Sequence, residues 1–332
     1  MKSEGTKDMH TIIRCLAVLG ALVLGQAAVA QEAAFPSKPI QLLVPFAPGG
    51  ATDLTIRALA KAAEKPLGQP VVIVNKPAGG GVAAMQEVAK AAPDGYTLIH
   101  MTAITGAIAP HMRKVPYDPV KDFTPIMLYG GFNTFIAVRS DSPYKTLDDL
   151  IKDAKAHPRA VTCGISVIGA SSHLGMARLA AESGMEVTFV PFGGGAPAMA
   201  ALLGKHVTSV VISGEILPYV RTGEVRLLAT LMAERVPEFP NVPTLRDLGY
   251  KWDMNSWLGV AGPPNLPQPI VKRLETAFLG AMEDEGFKKT MEQLAMVTRA
   301  GDAAAARQAL EQDYDGFGTL MKSLKLGVYA GN

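Results

Sequence analysis

Cysteine is almost missing from this chain: two residues in 332, Cys15 near the N-terminus and Cys163 in the middle. Cys15 lies in a segment that reads as removable, so no internal disulfide is expected, and a chain of this length buries a large core without one. A dominant charge is missing as well. Lysine and arginine number 32 against 30 aspartate and glutamate, and dropping Lys2, Lys7, Arg14, Glu4 and Asp8 brings the balance closer still to neutral. Such a surface excludes non-specific nucleic-acid binding. After residue 25 no run of eighteen apolar residues occurs, so no later segment reads as a transmembrane helix. Three chemical signatures are also absent. There is no Gly-x-x-x-x-Gly-Lys-Ser/Thr for phosphate transfer, no His-x-x-x-His or Cys-rich spacing for zinc, and no Gly-x-Ser-x-Gly elbow for a serine hydrolase.

At the N-terminus Arg14 precedes an apolar run over residues 15–25, and Ala28-Val-Ala30 supplies the small residues of a signal-peptidase site. The run is too short to span a bilayer. Arg14 directly before Cys15 argues against a lipoprotein box. Residues 1–30 therefore read as a secretory signal cleaved near Ala30, with a periplasmic mature chain.

Strand-like and helical patterns then alternate: strand over 40–44, helix over 54–65, strand over 71–74, helix over 85–92 and strand over 96–101. That rhythm predicts βαβ units and a parallel sheet. Gly68-Gln-Pro70 ends the first helix. A second module follows a strand over 132–138. Thr146-Leu-Asp-Asp149 has the capping-box spacing for a helix to about 156, and a strand over 160–162, a helix over 173–183 and a strand over 187–190 come next. Further on, 257–261 reads as a strand, and 270–282, 287–295 and 303–324 as helices.

Twice a strand runs into a glycine turn and then a helix. The first case is Ile40-Gln-Leu-Leu-Val44 followed by Pro45-Phe-Ala-Pro-Gly-Gly-Ala-Thr-Asp53; the second is Pro191-Phe-Gly-Gly-Gly195. Glycine lets backbone approach a ligand closely, Thr52 or Asp53 is placed to cap a helix beginning near Leu54, and free amides at a helix start favour an anion.

Phe35-Pro-Ser-Lys-Pro-Ile40, Val44-Pro-Phe-Ala-Pro-Gly-Gly-Ala-Thr-Asp53, Gly68-Gln-Pro-Val-Val72, Asn75-Lys-Pro77, Ala89-Lys-Ala-Ala-Pro-Asp-Gly-Tyr-Thr-Leu98, Val190-Pro-Phe192 and Phe239-Pro-Asn-Val-Pro-Thr244 together resemble the Bug family. These are TctC-like periplasmic receptors of tripartite tricarboxylate transporters, and the resemblance covers essentially the whole chain after residue 30. It implies an α/β, two-lobed fold of the type II periplasmic binding protein kind, each lobe a sheet flanked by helices, with the ligand cleft between lobes. Residues 31–135 plus 258–332 would form one lobe and 136–257 the other, hinged near Phe135 and Trp257. The implied function is capture of a small carboxylate by a monomer and delivery to the membrane components of the transporter, without catalysis, metal or cofactor.

By the same resemblance, ligand contacts fall on Phe46, Ala47, Gly50, Thr52, Asp53, Thr102 and Ala103 from the first lobe. The second lobe would add Gly169, Ser171, Ser172, His173, Gly193, Gly194, Gly195 and Ala196. Departures from the family pattern lie mostly in that second group, where Val167-Ile-Gly-Ala170 replaces a glycine- and serine-rich run and Gly193 stands where lysine is common. They imply a ligand with one principal carboxylate and an apolar or aromatic body.

Other readings stay beside this one. Asp53 and His173 each have a sufficient structural use, in capping a helix or as a core histidine. Gly79-Gly-Gly81 with Ala84 satisfies a loose dinucleotide fingerprint, but Asp94 precedes the next strand instead of ending it. Ser171, Ser172 and His173 are adjacent at a helix start and point in different directions, which weakens an exported hydrolase. A receptor that informs a sensor protein remains the other alternative.

Overall fold

The computed structural model describes residues 35–330 apart from Asn255; the leader expected over 1–30 lies outside the described residues. Contacts divide the chain after Ser37, and every element below belongs to the part from Lys38 onward. It opens with β1 (Ile40–Val44), α1 (Ala51–Leu67), β2 (Val71–Asn75), α2 (Val82–Ala89) and β3 (Thr97–Thr102). A π-helical turn, Ile104–Ile108, runs into α3 (Ala109–Met112) and then β4 (Thr124–Phe132). The middle comprises β5 (Phe135–Arg139), α4 (Leu147–Ala156), β6 (Thr162–Ile165), α5 (Ser171–Ser183), β7 (Thr188–Pro191), α6 (Gly195–Leu203), β8 (Ser209–Ile212), α7 (Leu217–Arg221) and β9 (Val225–Thr230). The chain closes with β10 (Leu258–Gly262), α8 (Gln268–Ala281), α9 (Glu285–Gln293), β11 (Met296–Gly301) and α10 (Ala303–Ser323).

Two sheets result. One has the order β11-β4-β10-β3-β1-β2, the other β7-β6-β8-β5-β9. The strands of each sheet explain why helices must flank it. In β1, Leu42, Leu43 and Val44 are all fully buried although successive side chains point to opposite faces. Leu43, with Ile99 and Met101 of β3, packs in one cluster with Met85 of α2 and Leu310 and Phe317 of α10. On the other side α1 packs on α8 and α9.

The parallel pairing expected for the strands over 40–101 is present, but each complete sheet is mixed. β1 is parallel to β2 and β3, and β6 to β7 and β8, because helices carry the chain over between them. β10 is antiparallel to β3 and β4, and β5 to β8 and β9. These four strands, β4, β5, β9 and β10, flank the two places where the chain passes between the sheets, at 133–134 and over 231–257. There the neighbours are joined by direct passage or long return, and no crossover helix fixes a common direction. Local signals hold well. Thr146 and Asp149 form the expected capping box of α4, and Gly68 closes α1 with φ 73°.

Candidate functional site

The turn after β1 is held by one buried carboxylate. α1 starts at Ala51, three residues before the expected start, and its N-cap is Gly50 in an extended conformation with no side-chain cap. Asp53 is thus the third helical residue, and its carboxylate reaches back to accept from the Gly49 N–H at 2.9 Å. It also accepts from Arg57 Nε at 2.8 Å and Asn75 Nδ2 at 2.7 Å, while Asn75 Nδ2 reaches the Phe46 carbonyl at 3.0 Å. Burial pushes the Asp53 carboxyl up, but the bonds from Arg57, Asn75 and Gly49 outweigh it and hold the group below its ordinary range. The result is an ionised strut that ties 46–53 to the end of β2.

Beneath Phe46 lies a second buried network. The Phe46 ring meets His100 edge-on at 6.2 Å, His100 Nε2 pairs with Tyr129 Oη at 2.8 Å, and Tyr129 Oη with Thr55 Oγ1 at 3.1 Å. Thr55 Oγ1 donates to the Ala51 carbonyl, so it accepts from Tyr129, which in turn accepts from His100 Nε2–H. That order leaves His100 Nδ1, which has no partner among the described residues, as a bare lone pair instead of a buried unpaired N–H. Burial drives the His100 pKa down to about 3, so the ring stays neutral. Within the loose dinucleotide fingerprint Gly81 (φ 87°) serves packing, since a Cβ there would fall 2.6 Å from the Pro45 side chain.

The carboxyl ends of β1 and β3 open onto a cavity of about 580 Å³. β2 lies on one side of β1 and β3 on the other, so this is the switch point where open α/β sheets bind ligands. Pro45, Phe46 and Ala47 line it from β1, and Ile104, Ile108, Met112 and Arg113 from the segment after β3. The π-helical turn, a feature frequent at functional sites, carries Ile104 and Ile108 into that wall. Residues 166–170, after β6, form the opposite wall. Val167 and Ile168 keep 53 and 54 % of their surface exposed, the most of any large apolar side chains among the described residues, and they are adjacent. Gly169 (φ 83°) sits against Met112 across the cavity, where a Cβ would fall 2.7 Å from its methyl group.

Of the residues singled out in the sequence, Phe46, Ala47 and Gly169 line this cavity directly. Gly50, Thr52 and Asp53 shape the adjoining turn. Thr102 and Ala103 are buried behind the wall, Thr102 bonded to Thr105 and the Ala103 N–H donating to the Trp257 carbonyl at 3.1 Å. Ser171, Ser172 and His173 form the buried first turn of α5, whose N-cap Ala170 lines the cavity. His173 Nδ1 accepts the Gly169 N–H at 3.1 Å and its ring meets Phe189 edge-on at 4.7 Å. Burial lowers its pKa, so the proton of the neutral ring sits on Nε2. Among the described residues neither serine hydroxyl bonds this ring.

Gly193, Gly194, Gly195 and Ala196 lie outside the cavity lining. The first residue of α6, Gly195, has the Glu215 carboxylate against it, with Oε1 2.5 Å from where a Cβ would be. Arg113, Ile104, Ile108, Met112 and the strut partner Asn75 were not singled out as site residues. Only Asn75 carried a signal, as part of Asn75-Lys-Pro77.

Behind the cavity the two crossings meet backbone to backbone. A Cβ at Gly131 would collide with the Ser256 carbonyl, and the Leu231 N–H donates to the Thr134 carbonyl at 2.9 Å. Trp257 anchors this junction through its indole N–H to Asp313 of α10 at 2.8 Å. Burial pushes the Asp313 carboxyl up to about 6, against the lowering effect of that bond.

The family model for the tripartite tricarboxylate transporter family receptor, TctC, matches residues 55–326. The chain belongs to that family. It is 38 % identical over 285 residues to the UPF0065 protein in the gbd 5' region of Cupriavidus necator, covering 85 % of this chain and 87 % of that one. With BugT of Bordetella pertussis it shares 32 % over 279 residues, 82 and 85 % of the two chains. A solved TctC solute-binding protein from Polaromonas superimposes with a TM-score of 0.80 at 28 % identity, covering 87 % of this chain and 99 % of that one. Two Rhodopseudomonas palustris structures were solved with ligands. MatC with malate has a TM-score of 0.70 and 29 % identity, covering 86 and 99 %; the other, with adipate, has 0.74 and 28 %, covering 88 and 99 %. The chain is therefore a Bug-family, TctC-like periplasmic solute-binding receptor with a two-lobed α/β fold.

Proposed function

We propose that this receptor captures a small organic carboxylate in the cavity between its sheets and delivers it to the membrane components of a tripartite tricarboxylate transporter. One observation carries the reading: a cavity at the β1/β3 switch point is lined by segments that follow strands of both sheets and, among the described residues, has a positive residue as its only charged one. The first turn of α5 adds N–H groups without intrahelical acceptors beside the hydroxyls of Ser171 and Ser172, and the first turn of α1 does the same behind Ala47. Malate and adipate in two relatives of known structure support the ligand class.

In this reading residues 31–135 plus 258–332 and residues 136–257 are the lobes, acting in a monomer released from its leader near Ala30. Phe46, Ala47 and the 49–53 turn meet the carboxylate from one side, and Gly169 through His173 from the other. Contacts to both lobes favour the closed form over the open one, with bending at 133–134 and around Trp257. A few charge-assisted hydrogen bonds of roughly 1.5–3 kcal/mol each suffice for about micromolar affinity.

Thermal unfolding of the purified chain against carboxylates, their neutral amides and nucleotides tests this directly. An acid at about a hundred times its dissociation constant adds roughly 2.7 kcal/mol. Stabilisation by acids but not by amides, with the acid recovered unchanged, is the expected outcome. Stabilisation by nucleotides alone, or chemical conversion of the acid, contradicts it.

A further inference from the structure

Among the described residues, Arg113 is the one ionisable side chain lining the cavity. It follows α3 directly, in an extended conformation that carries it toward the β2–α2 connection. Its guanidinium donates to the Gly80 carbonyl at 3.3 Å, and among the described residues it has no carboxylate partner. Arg57, Arg139 and Arg178 are each paired with a carboxylate, whereas Arg113, like Arg226 and Arg273, meets only backbone carbonyls among the described residues, and of these three it alone lines the cavity. A guanidinium left with several unsatisfied donors at the edge of a cavity presents the fork geometry that takes a carboxylate through two hydrogen bonds.

Everything else around it is apolar or neutral. Ile104, Ile108 and Met112 face Val167 and Ile168 across the space, and among the described residues no second cation lines it. A ligand with one negative charge is neutralised there. A second carboxylate enclosed against these walls keeps a net charge in a poorly solvating site, and burying an unpaired charge is costly.

We propose that Arg113 is the specificity-determining residue of this receptor, and that it selects a monocarboxylate with an apolar body over a dicarboxylate. This rests on the carboxylate reading above and narrows it. The ligand carboxylate sits at the guanidinium, in the cavity that the Phe46 and Ala47 backbone also lines, and its apolar body lies between Ile104 and Ile168. Gly80 fixes the approach. Any Cβ there would fall 2.5 Å from Arg113 Nη2, so a side chain at 80 would displace the guanidinium.

Matched six-carbon probes test the proposal by isothermal titration: hexanoate with one carboxylate, adipate with two and hexanamide with none. The wild-type chain is expected to bind hexanoate at least tenfold more tightly than adipate, and hexanamide weakest. Arg113→Ala is expected to weaken hexanoate by about tenfold to a hundredfold, and Arg113→Lys by less, since it keeps the charge and loses the fork. Arg113→Gln is the control for folding, because it can keep the bond to Gly80. Adipate binding as tightly as hexanoate, or hexanoate unmoved in Arg113→Ala while melting is unchanged, overturns this proposal and leaves the carboxylate receptor standing. A wild-type chain that binds none of the acids overturns both.

Discussion

The chain writes nearly the same phrase twice, Pro45-Phe-Ala-Pro-Gly-Gly and Pro191-Phe-Gly-Gly-Gly, and the fold uses the two differently. The first follows β1, which has β3 on one side and β2 on the other, so its turn opens at the switch point of the larger sheet. The second follows β7, the edge strand of the smaller sheet. In that sheet the switch point lies between β6 and β8, and it is the turn after β6, residues 166–170, that reaches the cavity. The anion chemistry differs too. Asp53 braces the first turn from behind through three donors, whereas the Glu215 carboxylate already lies against the first residue of α6. A glycine turn before a helix is therefore only a capacity for anion binding. Strand position and the charge already present set the two turns apart, and the first is the one that borders the cavity.

The largest expected effect is on the brace. Asp53→Ala leaves the Gly49 N–H, Arg57 and Asn75 without their acceptor, at a cost of about 2–4 kcal/mol in thermal or urea unfolding. Because the folded carboxyl lies below its ordinary value of 3.8, its contribution is complete above that value and is lost as pH falls through the folded one. Asp53→Asn should accordingly flatten the acid limb of the stability profile. An unchanged acid limb would show that the strut does not hold the first turn.

Next comes a paired substitution. Gly50 has φ −75°, and a Cβ there meets only the Ala47 carbonyl at 3.9 Å. Gly50→Val should cost about 1 kcal/mol as a poorer N-cap and weaken carboxylate binding at least tenfold by blocking the backbone. Gly195→Ala forces the flexible Glu215 carboxylate aside and should leave affinity within twofold. The reverse pattern would exchange the roles of the two turns.

The smallest effect is on charge at α6. Glu215→Gln should lower stability by about 0.3–1 kcal/mol through the helix dipole without altering affinity. A tenfold gain in carboxylate binding would mean that Glu215 guards an anion site at the second turn.

Much of this comparison was legible in the residues, but not all. Helices α1, α4, α8 and α10 were readable because their apolar spacing and caps are local. The strands β4, β8, β9 and β11 escaped. β4 carries Pro125 and a Gly-Gly end that read as breaks, and β8 is a four-residue apolar run between α6 and α7 that periodicity alone does not resolve. β11 is largely exposed at a sheet edge. In the site, Phe46 and Gly169 could be named through the family resemblance, while the residues by themselves mark only the glycine turns after the strands. Arg113, Ile104 and Met112 could not, since their importance comes from facing Val167 and Ile168 across 50 or more residues of chain. Glu215 over Gly195 is likewise a contact of the fold, invisible in either segment.

Backbone amide exchange with and without a stabilising monocarboxylate locates the ligand, because it reads both turns in one experiment. The account predicts added protection at 46–53 and 169–173, on both sides of the cavity, with 193–196 unchanged. Protection at 193–196 without change at 46–53 would contradict it and move the ligand to the other glycine turn.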